Sequence, residues 1–336
     1  MVHMETKSET VNVNPPRLVG SVVAGFNAVT SHIYLIIFPI ALDLLLWLGP
    51  HVRVKALLEP SVINFFTWLA ASDNTADIKD IMKTSQDLLQ SVLSQANMLV
   101  GLRTWPVGVP SLFFGSSSLQ TPIGSALIIE MPNLLTTFLT WILILLAGTL
   151  AGSIFFNSVS NASFDLKKPF SPQLSLWQFG QSIFLAVLLV VLVILILIPF
   201  SLIVSVFGLF SPTLAEFAAW AIFFLLVWLL LPLIFSAHGI FVFNFNTFIS
   251  ITTSVRLVRF FLPGAGVFLV MSYLLNEGMN IVWRMSPATS WLTLAGVAGH
   301  GFIGSALLAG SFIYYGSGMR WMNDNLQRVA PQASKA

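Results

Sequence analysis

Three ionisable side chains interrupt long apolar stretches of this sequence, at positions where a charge is costly. They are Asp43, Glu277 and His300. A charged side chain at the centre of a membrane span costs roughly 3 kcal/mol on insertion scales, so such residues are functional hypotheses by default. An imidazole beside a carboxylate can also bind and release a proton or a small cation. These residue types therefore predict a polar cluster inside a membrane protein.

Two more polar residues belong to the same group. Asn280 and Arg284 follow Glu277 by three and seven residues, which is helical spacing. Two interpretations stay open. In one, His300 pairs with Glu277 or Asp43 and handles protons or cations. In the other, the group makes structural hydrogen bonds, and Glu277 and Arg284 neutralise each other. One carboxylate and one imidazole are too few ligands for a structural metal site, so we expect no metal and no cofactor.

Charged residues make up only 8% of this 336-residue chain, and hydrophobic residues make up 56%. Soluble proteins carry roughly 25% charged residues, so this chain has too few charged residues to cover a surface that faces water. The net charge is +2, which is too small for a nucleic-acid-binding surface. The chain has no cysteine, which excludes disulfides and thiolate metal sites. Composition therefore predicts an integral membrane protein with no nucleic-acid partner.

Apolar runs of about the length of a membrane span recur along the chain. A helix needs about 20 residues to cross a hydrocarbon core roughly 30 Å thick. The candidate spans cover residues 31–48, 133–156, 181–210, 213–235, 262–283 and 291–315. They predict an all-α fold, a polytopic transmembrane helix bundle of about six spans. A short turn joins the last two spans, so Glu277 and His300 are expected at similar depth.

These spans divide the chain into five parts. We expect a polar N-terminus with an interfacial helix at 1–30, a first transmembrane span at 31–48, an extracytoplasmic helical loop at 49–132, a five-span bundle at 133–316 and a cytoplasmic tail at 317–336. The loop is expected to form a helical cap over the bundle. Apolar residues at 78, 81, 88, 92 and 99 form one helical stripe in it, and we expect this stripe to be buried.

Lysine and arginine in short loops indicate the orientation, because they stay on the cytoplasmic side. With six spans, Lys167 and Lys168 share one side with Arg256, Arg259 and both termini. The sequence therefore predicts a multi-pass protein of the cell inner (plasma) membrane, with a cytoplasmic N-terminus and C-terminus. A second interfacial helix is expected near 240–261, where Arg256 and Arg259 contact lipid phosphates.

The last hundred residues carry a layout that resembles a known family. The carriers are SAHGI at 236–240, SVRLVR at 254–259, SWLTL at 290–294 and GHG at 299–301. The chain resembles a family of uncharacterised bacterial multi-pass membrane proteins, related in layout to the glycerophosphoryl diester phosphodiesterase membrane domain. The resemblance implies a membrane-embedded helical fold. Nothing in the chain resembles the hydrolase domain that accompanies that membrane domain, so the resemblance implies no enzymatic activity.

The sequence thus favours a non-enzymatic integral membrane protein, either an accessory or scaffold subunit of a membrane assembly or a lipid-associated protein. Its expected partners are membrane lipids and other membrane protein subunits. The alternative is a small secondary transporter that uses the cluster of Asp43, Glu277 and His300 in the outer half of the membrane. A membrane-embedded enzyme ranks third.

Overall fold

The computed structural model describes residues 15–72, 76–113, 119–166 and 171–333. The α-helices in these ranges are α1 Leu18–Ser31, α2 Ile37–Leu48, α3 Lys55–Ser72, α4 Ala76–Gln95, α5 Leu134–Ser163, α6 Pro172–Phe210, α7 Pro212–Leu230, α8 Ser236–Val242, α9 Thr247–Phe260, α10 Leu262–Trp283 and α11 Thr293–Ala333. Short 3-10 turns lie at Ile33–Ile36, Met98–Leu102 and Leu231–Leu233. The strands in the same ranges are β1 His51–Arg53, β2 Gln120–Thr121, β3 Gly124–Ser125 and β4 Ile128–Glu130.

Five helical segments are long and apolar enough to cross a membrane. They are α5, α6, α7 with its continuation to Val242, α10 and α11 within the described residues, and the bent pair α1–α2 makes a sixth if it is one span. The predicted all-α bundle of membrane-spanning helices is therefore confirmed. Asn133 and Ser171 begin α5 and α6, because their side chains accept hydrogen bonds from free backbone N–H groups of the first turn.

The first span differs from the sequence expectation of one helix over 31–48. The chain leaves α1 at Ser31, makes one 3-10 turn and enters α2 at Ile37, and the two helical parts meet at 94°. Pro39 lies in the first turn of α2, where its missing N–H is not needed. The same missing N–H would leave the Leu35 carbonyl without its donor in a continuous helix, which favours a break there. The expected boundary between an interfacial helix and the first span is replaced by one bent unit.

The bent unit α1–α2 packs along α11 and runs antiparallel to it. Phe26 of α1 contacts Phe302, and Trp47 at the end of α2 contacts Trp291. The closest approach is at Gly25, where a Cβ atom would overlap the backbone of α11 at Ala306 and Gly310. Small residues let membrane helices approach this closely, so α1 belongs to the bundle and not to its surface.

Two aromatic levels mark the ends of the bundle along α11. At one level Trp47 donates a hydrogen bond to the Ala288 carbonyl at 2.7 Å and contacts Trp291. At the other level Trp321 contacts Phe260 and Phe261. The helix from Thr293 to Trp321 rises roughly 42 Å, which matches the roughly 40–45 Å of a bilayer with its headgroups. We call the Trp47 level the loop end and the Trp321 level the tail end.

Residues 49–132 form one excursion at the loop end. Parallel pairing of β1 with β4 joins its beginning to its end, and Arg53 forms an ion pair with Glu130 at 2.6 Å. Strands β2 and β3 form a small antiparallel pair. Helices α3 and α4 occupy much of the first half of this segment, so its predicted helical character is confirmed there. The described residues after Leu102 form turns and short strands instead.

The apolar stripe predicted on α4 is not buried within this chain. Leu88 and Val92 are each 62% exposed, whereas Leu93 is buried. The face that α4 turns inward is therefore about one residue, or roughly 100°, away from the predicted stripe. On α3, Phe65 and Trp68 are exposed as well. Leu99, the last residue of the stripe, is partly buried beside Val52 and Met98. The side chains at 78 and 81 lie outside the described residues, and burial of Leu88 and Val92 on the membrane surface stays a prediction.

The contact at Gly25 gives the first testable prediction. In Gly25→Ala the added methyl group meets the backbone of α11, so we expect the free energy of unfolding to fall by about 1–3 kcal/mol. The measurement is the melting temperature of the purified protein in detergent. Gly266→Ala on α10 is the control, because a Cβ there meets no atom within 4 Å. Equal melting temperatures for the two variants would contradict the packing of α1 on α11.

Candidate functional site

A non-helical segment from the loop end is inserted among α2, α5 and α11. We call residues 97–113 the inserted loop. A Cβ atom at Gly152 of α5 would lie 2.7 Å from the Cα of Gly108, and one at Gly304 of α11 would lie 3.1 Å from Pro110. Gly152 lies roughly 27 Å along α5 from its first residue. The loop therefore reaches far into the bundle, where non-helical backbone is tolerated only if protein surrounds it or water reaches it.

Side chains at the start of the inserted loop hold it to the strands of the loop end. The Asn97 side chain accepts hydrogen bonds from the backbone N–H groups of Val52 and Leu99 and donates one to the Pro50 carbonyl. Thr104 donates to the Val107 carbonyl at 2.6 Å and closes a turn. These bonds satisfy the backbone that leaves the regular structure.

The end of the inserted loop is held by two charged residues from different helices. The carboxylate of Asp43, which is fully buried on α2, accepts hydrogen bonds from the Ser111 hydroxyl at 2.5 Å and from the Leu112 N–H at 2.9 Å. The guanidinium of Arg284, just after α10, donates to the Leu112 carbonyl at 3.1 Å. Both backbone groups of Leu112 are thus bonded to side chains that the sequence placed in the candidate cluster.

The remaining members of the predicted cluster join α10 to α11. Asn280 donates from Nδ2 to the Glu277 carboxylate at 3.3 Å, and its Oδ1 lies 2.8 Å from Nδ1 of His300. Because Oδ1 can only accept, Nδ1 of His300 carries the proton in this contact. Asn276 also donates to Glu277, at 3.0 Å. Nε2 of His300 is buried and has no hydrogen-bond partner among the residues that the structure describes.

Arg103 of the inserted loop connects the two groups electrostatically. The carboxylates of Asp43 and Glu277 both act on its guanidinium favourably, and Arg284 acts on it unfavourably. The two negative charges of Asp43 and Glu277 and the two positive charges of Arg103 and Arg284 therefore lie in one region of the bundle and sum to zero. The predicted cluster of Asp43, Glu277, Asn280, Arg284 and His300 is brought together around the inserted loop.

The predicted neutralisation of Glu277 by Arg284 does not occur as an ion pair. Arg284 is bonded to the Leu112 carbonyl, and Glu277 accepts from two asparagines. Ion pairs that do form among the described residues include those of Arg53 with Glu130 and of Lys55 with Glu59. Arg284 bonds to the inserted loop instead of Glu277, because the Leu112 carbonyl would otherwise have no donor at this depth.

Sequence reasoning missed Arg103, Ser111 and the backbone of Leu112. The segment that holds them is rich in turn residues and was assigned to a loop outside the membrane. The available signal was its apolar character between Trp105 and Pro110, since a solvated turn is normally polar.

The arginines expected to contact lipid lie at the tail end. Arg256 and Arg259 are exposed on α9, and their neighbour Leu257 packs beside Gly318 of α11. This places them near the level of Trp321. Their contact with lipid phosphates stays a prediction. No group of three or more histidine or acidic residues able to hold a metal ion occurs in the described part of the chain.

A second feature of the bundle is an arm of two helices that leaves it. Helix α6 contributes its last buried residue at Leu189, and α7 contributes none. We call residues 190–230 the arm. Its side chains are strongly exposed, for example Leu209 at 85% and Phe217 at 71%. Glu216 near its tip has no hydrogen bond or ion pair with any described residue.

The root of the arm is well bonded to the bundle. Gln178 of α6 donates to the Asn244 side chain at 3.2 Å, and Gln181 accepts from both the N–H and the hydroxyl of Thr247 at 2.8 Å. On the other side of the root, Ser254 donates to the Pro232 carbonyl at 2.7 Å. The direction in which the arm leaves is therefore determined by the chain itself.

Comparison of the chain with protein-family models, with curated proteins and with solved structures finds no match in any of the three. The class of protein that the fold defines is a helical membrane protein. The resemblance to the membrane domain named above stays a prediction.

The clamp on Leu112 gives the second testable prediction. Asp43→Ala leaves the buried Ser111 hydroxyl and Leu112 N–H without an acceptor, and we expect a loss of about 2–4 kcal/mol of unfolding free energy. Ser111→Ala removes the bond to Asp43 and the weaker one that Ser111 accepts from the Phe113 N–H, but it keeps the Leu112 contact, so a smaller loss of about 1–2 kcal/mol is expected. Detergent unfolding curves measure both, and Ser201→Ala on the exposed part of α6 is the control. An Asp43→Ala protein as stable as the control would refute the clamp.

Proposed function

We propose that this protein is a non-enzymatic accessory or scaffold subunit of a membrane assembly. The observation that carries the proposal is the arm. Its α7 helix is long enough to cross a membrane, yet none of its residues is buried against the rest of the chain. The arm is the part of the protein that another subunit would contact.

The chemistry of membrane association supports this assignment. In lipid, helices associate through close packing and hydrogen bonds, since the apolar side chains gain nothing by leaving the lipid. An arm that is fixed at its root and free along its length offers α6 and α7 to such packing. Glu216 on α7 supports a polar contact as well, because a carboxylate at a membrane interface is stabilised by a basic partner.

The bonding of the polar cluster also supports a structural role. Asp43 and Arg284 bind the backbone of the inserted loop, and Asn280 links Glu277 to His300. These bonds satisfy groups that lipid would leave unsatisfied. In a scaffold protein, these polar residues need only satisfy one another's hydrogen bonds.

We further propose that the chain crosses the inner (plasma) membrane of a bacterium six times, with both ends in the cytoplasm. Arg17, Arg256, Arg259 and Arg320 all belong to the tail end, which supports its assignment to the cytoplasmic side by the positive-inside rule. The bent pair α1–α2 then counts as the first span.

A small secondary transporter is the second candidate. Two observations favour it: Nε2 of His300 is buried without a described partner, and non-helical backbone enters the bundle beside it. Broken elements at membrane depth hold substrates and ions in several transporter folds. Nε2 of His300 would then accept the transported proton, with Glu277 as the balancing charge.

The arm gives the third testable prediction. Phe217→Ala with Phe224→Ala removes two exposed rings from one face of α7, 71% and 65% exposed, and should leave the melting temperature unchanged. We expect the complex isolated from native membranes in mild detergent to dissociate to the single chain, as measured by native mass spectrometry. Leu135→Ala with Phe138→Ala on the exposed face of α5 is the matched control. A wild-type protein that is already monomeric would contradict the proposal.

The choice between the two functions gives the fourth prediction. Purified protein in sealed vesicles is expected to show no proton or cation flux above that of empty vesicles. Under the transporter alternative, the wild-type protein would conduct, and Glu277→Gln or His300→Gln would reduce flux at least tenfold without unfolding. Measurable wild-type flux that Asp43→Asn, Glu277→Gln and His300→Gln abolish would replace the scaffold by the transporter.

A further inference from the structure

A pocket at the tail end lies between the start of α1 and the last turns of α11. Its volume is about 510 Å³, and Arg17, Ser21, Ser317 and Arg320 are among the residues that line it. Pro16 and Ile313 supply apolar parts of the wall. The pocket is separate from the inserted loop and from the arm.

The pocket is positively charged. Arg17 and Arg320 come from different helices, and Asp324 is the acidic residue among the lining side chains. Neither guanidinium forms an ion pair or a hydrogen bond with any residue that the structure describes. Two guanidiniums that converge on one cavity favour a ligand with a phosphate group, which accepts several charge-assisted hydrogen bonds at once.

The start of α1 adds a second attraction for anions. Arg17, the N-cap residue, has no side-chain acceptor for the first N–H groups of the helix, and no other described side chain is recorded as their acceptor. The helix dipole also favours a negative charge there. Gly20 lines the pocket at this end and leaves the backbone accessible.

The depth of the pocket identifies the source of the phosphate. Arg320 precedes Trp321, the aromatic residue that marks the tail end, and Trp rings prefer the headgroup level of a bilayer. The phosphates of phospholipids lie at the same level. The apolar wall at Ile313 continues from the arginines toward the bundle, where the glycerol and the first carbons of the acyl chains would extend.

We propose that this pocket is a binding site for the headgroup of an anionic phospholipid, with Arg17 and Arg320 bound to its phosphate. The lipid would connect α1 to α11 beyond the close contact of Gly310 with Ser21. The site goes beyond the proposed scaffold function and does not depend on it. Arg256 and Arg259 are exposed, as Arg17 and Arg320 are, but they do not line this pocket. They therefore serve as a matched reference for general surface charge.

The test compares two double variants that lose equal charge. Three proteins are compared: the wild type, the pocket variant Arg17→Gln with Arg320→Gln, and the α9 variant Arg256→Gln with Arg259→Gln. Each is placed in nanodiscs of phosphatidylcholine with roughly 10% phosphatidylglycerol, the anionic lipid that would attract basic segments. Lipid that stays bound after detergent transfer is counted by native mass spectrometry. We expect the preference for phosphatidylglycerol over phosphatidylcholine to fall about tenfold in the pocket variant and to stay at the wild-type value in the α9 variant.

Three results would overturn the proposal. Equal losses in both variants would assign the preference to surface charge, and no preference in the wild-type protein would remove the site. Displacement of phosphatidylglycerol by millimolar inorganic phosphate would assign the pocket to free phosphate. If the glutamine variant does not fold, Arg17→Lys with Arg320→Lys keeps the charge and loses the forked donors, and it should retain part of the preference.

Discussion

The bundle depends on one constraint: the backbone N–H and C=O groups of the inserted loop have no partners within a helix or sheet and must find them elsewhere. Non-helical chain at the depth of Gly152 exposes N–H and C=O groups that lipid cannot bond. Asp43 and Arg284 bind the two backbone groups of Leu112 from α2 and from the end of α10. The glycines of α5 and α11 leave room for the loop between the helices. Helices that do not follow one another in the chain are thereby held in fixed relation, and the bent course of α1–α2 brings Asp43 to its place.

The charges in the bundle are best understood through the same constraint. A single buried carboxylate is costly, but Asp43 is bonded to donors of the loop and lies in the field of Arg103. Glu277 accepts from two amides and lies in the same field. The carboxylates and Arg103 therefore offset part of one another's desolvation cost. The arm shows the opposite condition, since beyond Leu189 none of its residues is buried against the described parts of the chain.

Much of the fold could be predicted from the sequence, because span length and loop charge follow from the bilayer itself. The runs at 262–283 and 213–235 correspond closely to α10 and to α7 with the turn after it. The similar depth of His300 and the end of α10 could also be expected, since a short turn makes α10 and α11 antiparallel. In each case a local pattern was sufficient. The predicted partner of His300 was Glu277 or Asp43, whereas the structure bonds it to Asn280.

The rest could not be predicted, because it depends on contacts between distant segments. Hydropathy detects helices that cross a membrane, and it cannot detect an apolar turn that enters the bundle without forming a helix. Arg284 was assigned to Glu277, its neighbour on the same helix face, whereas its partner is a carbonyl 172 residues away. The exposure of Leu88 and Val92 within the chain has a related reason. Periodicity gives the apolar face of a helix, but α3 and the strands decide which side chains are covered.

The closed base of the α3–α4 hairpin makes this segment an independent module. The guanidinium of Arg53 bonds both to Glu130 and to the Ser94 carbonyl, so the chain before α3 and the chain after α4 are held side by side. A segment whose two ends are adjacent can be exchanged for another of different length with little change in the structure that carries it. The protein could thus acquire new surfaces at its loop end by replacement of residues 55–93, while the loop that organises the membrane helices keeps its anchors.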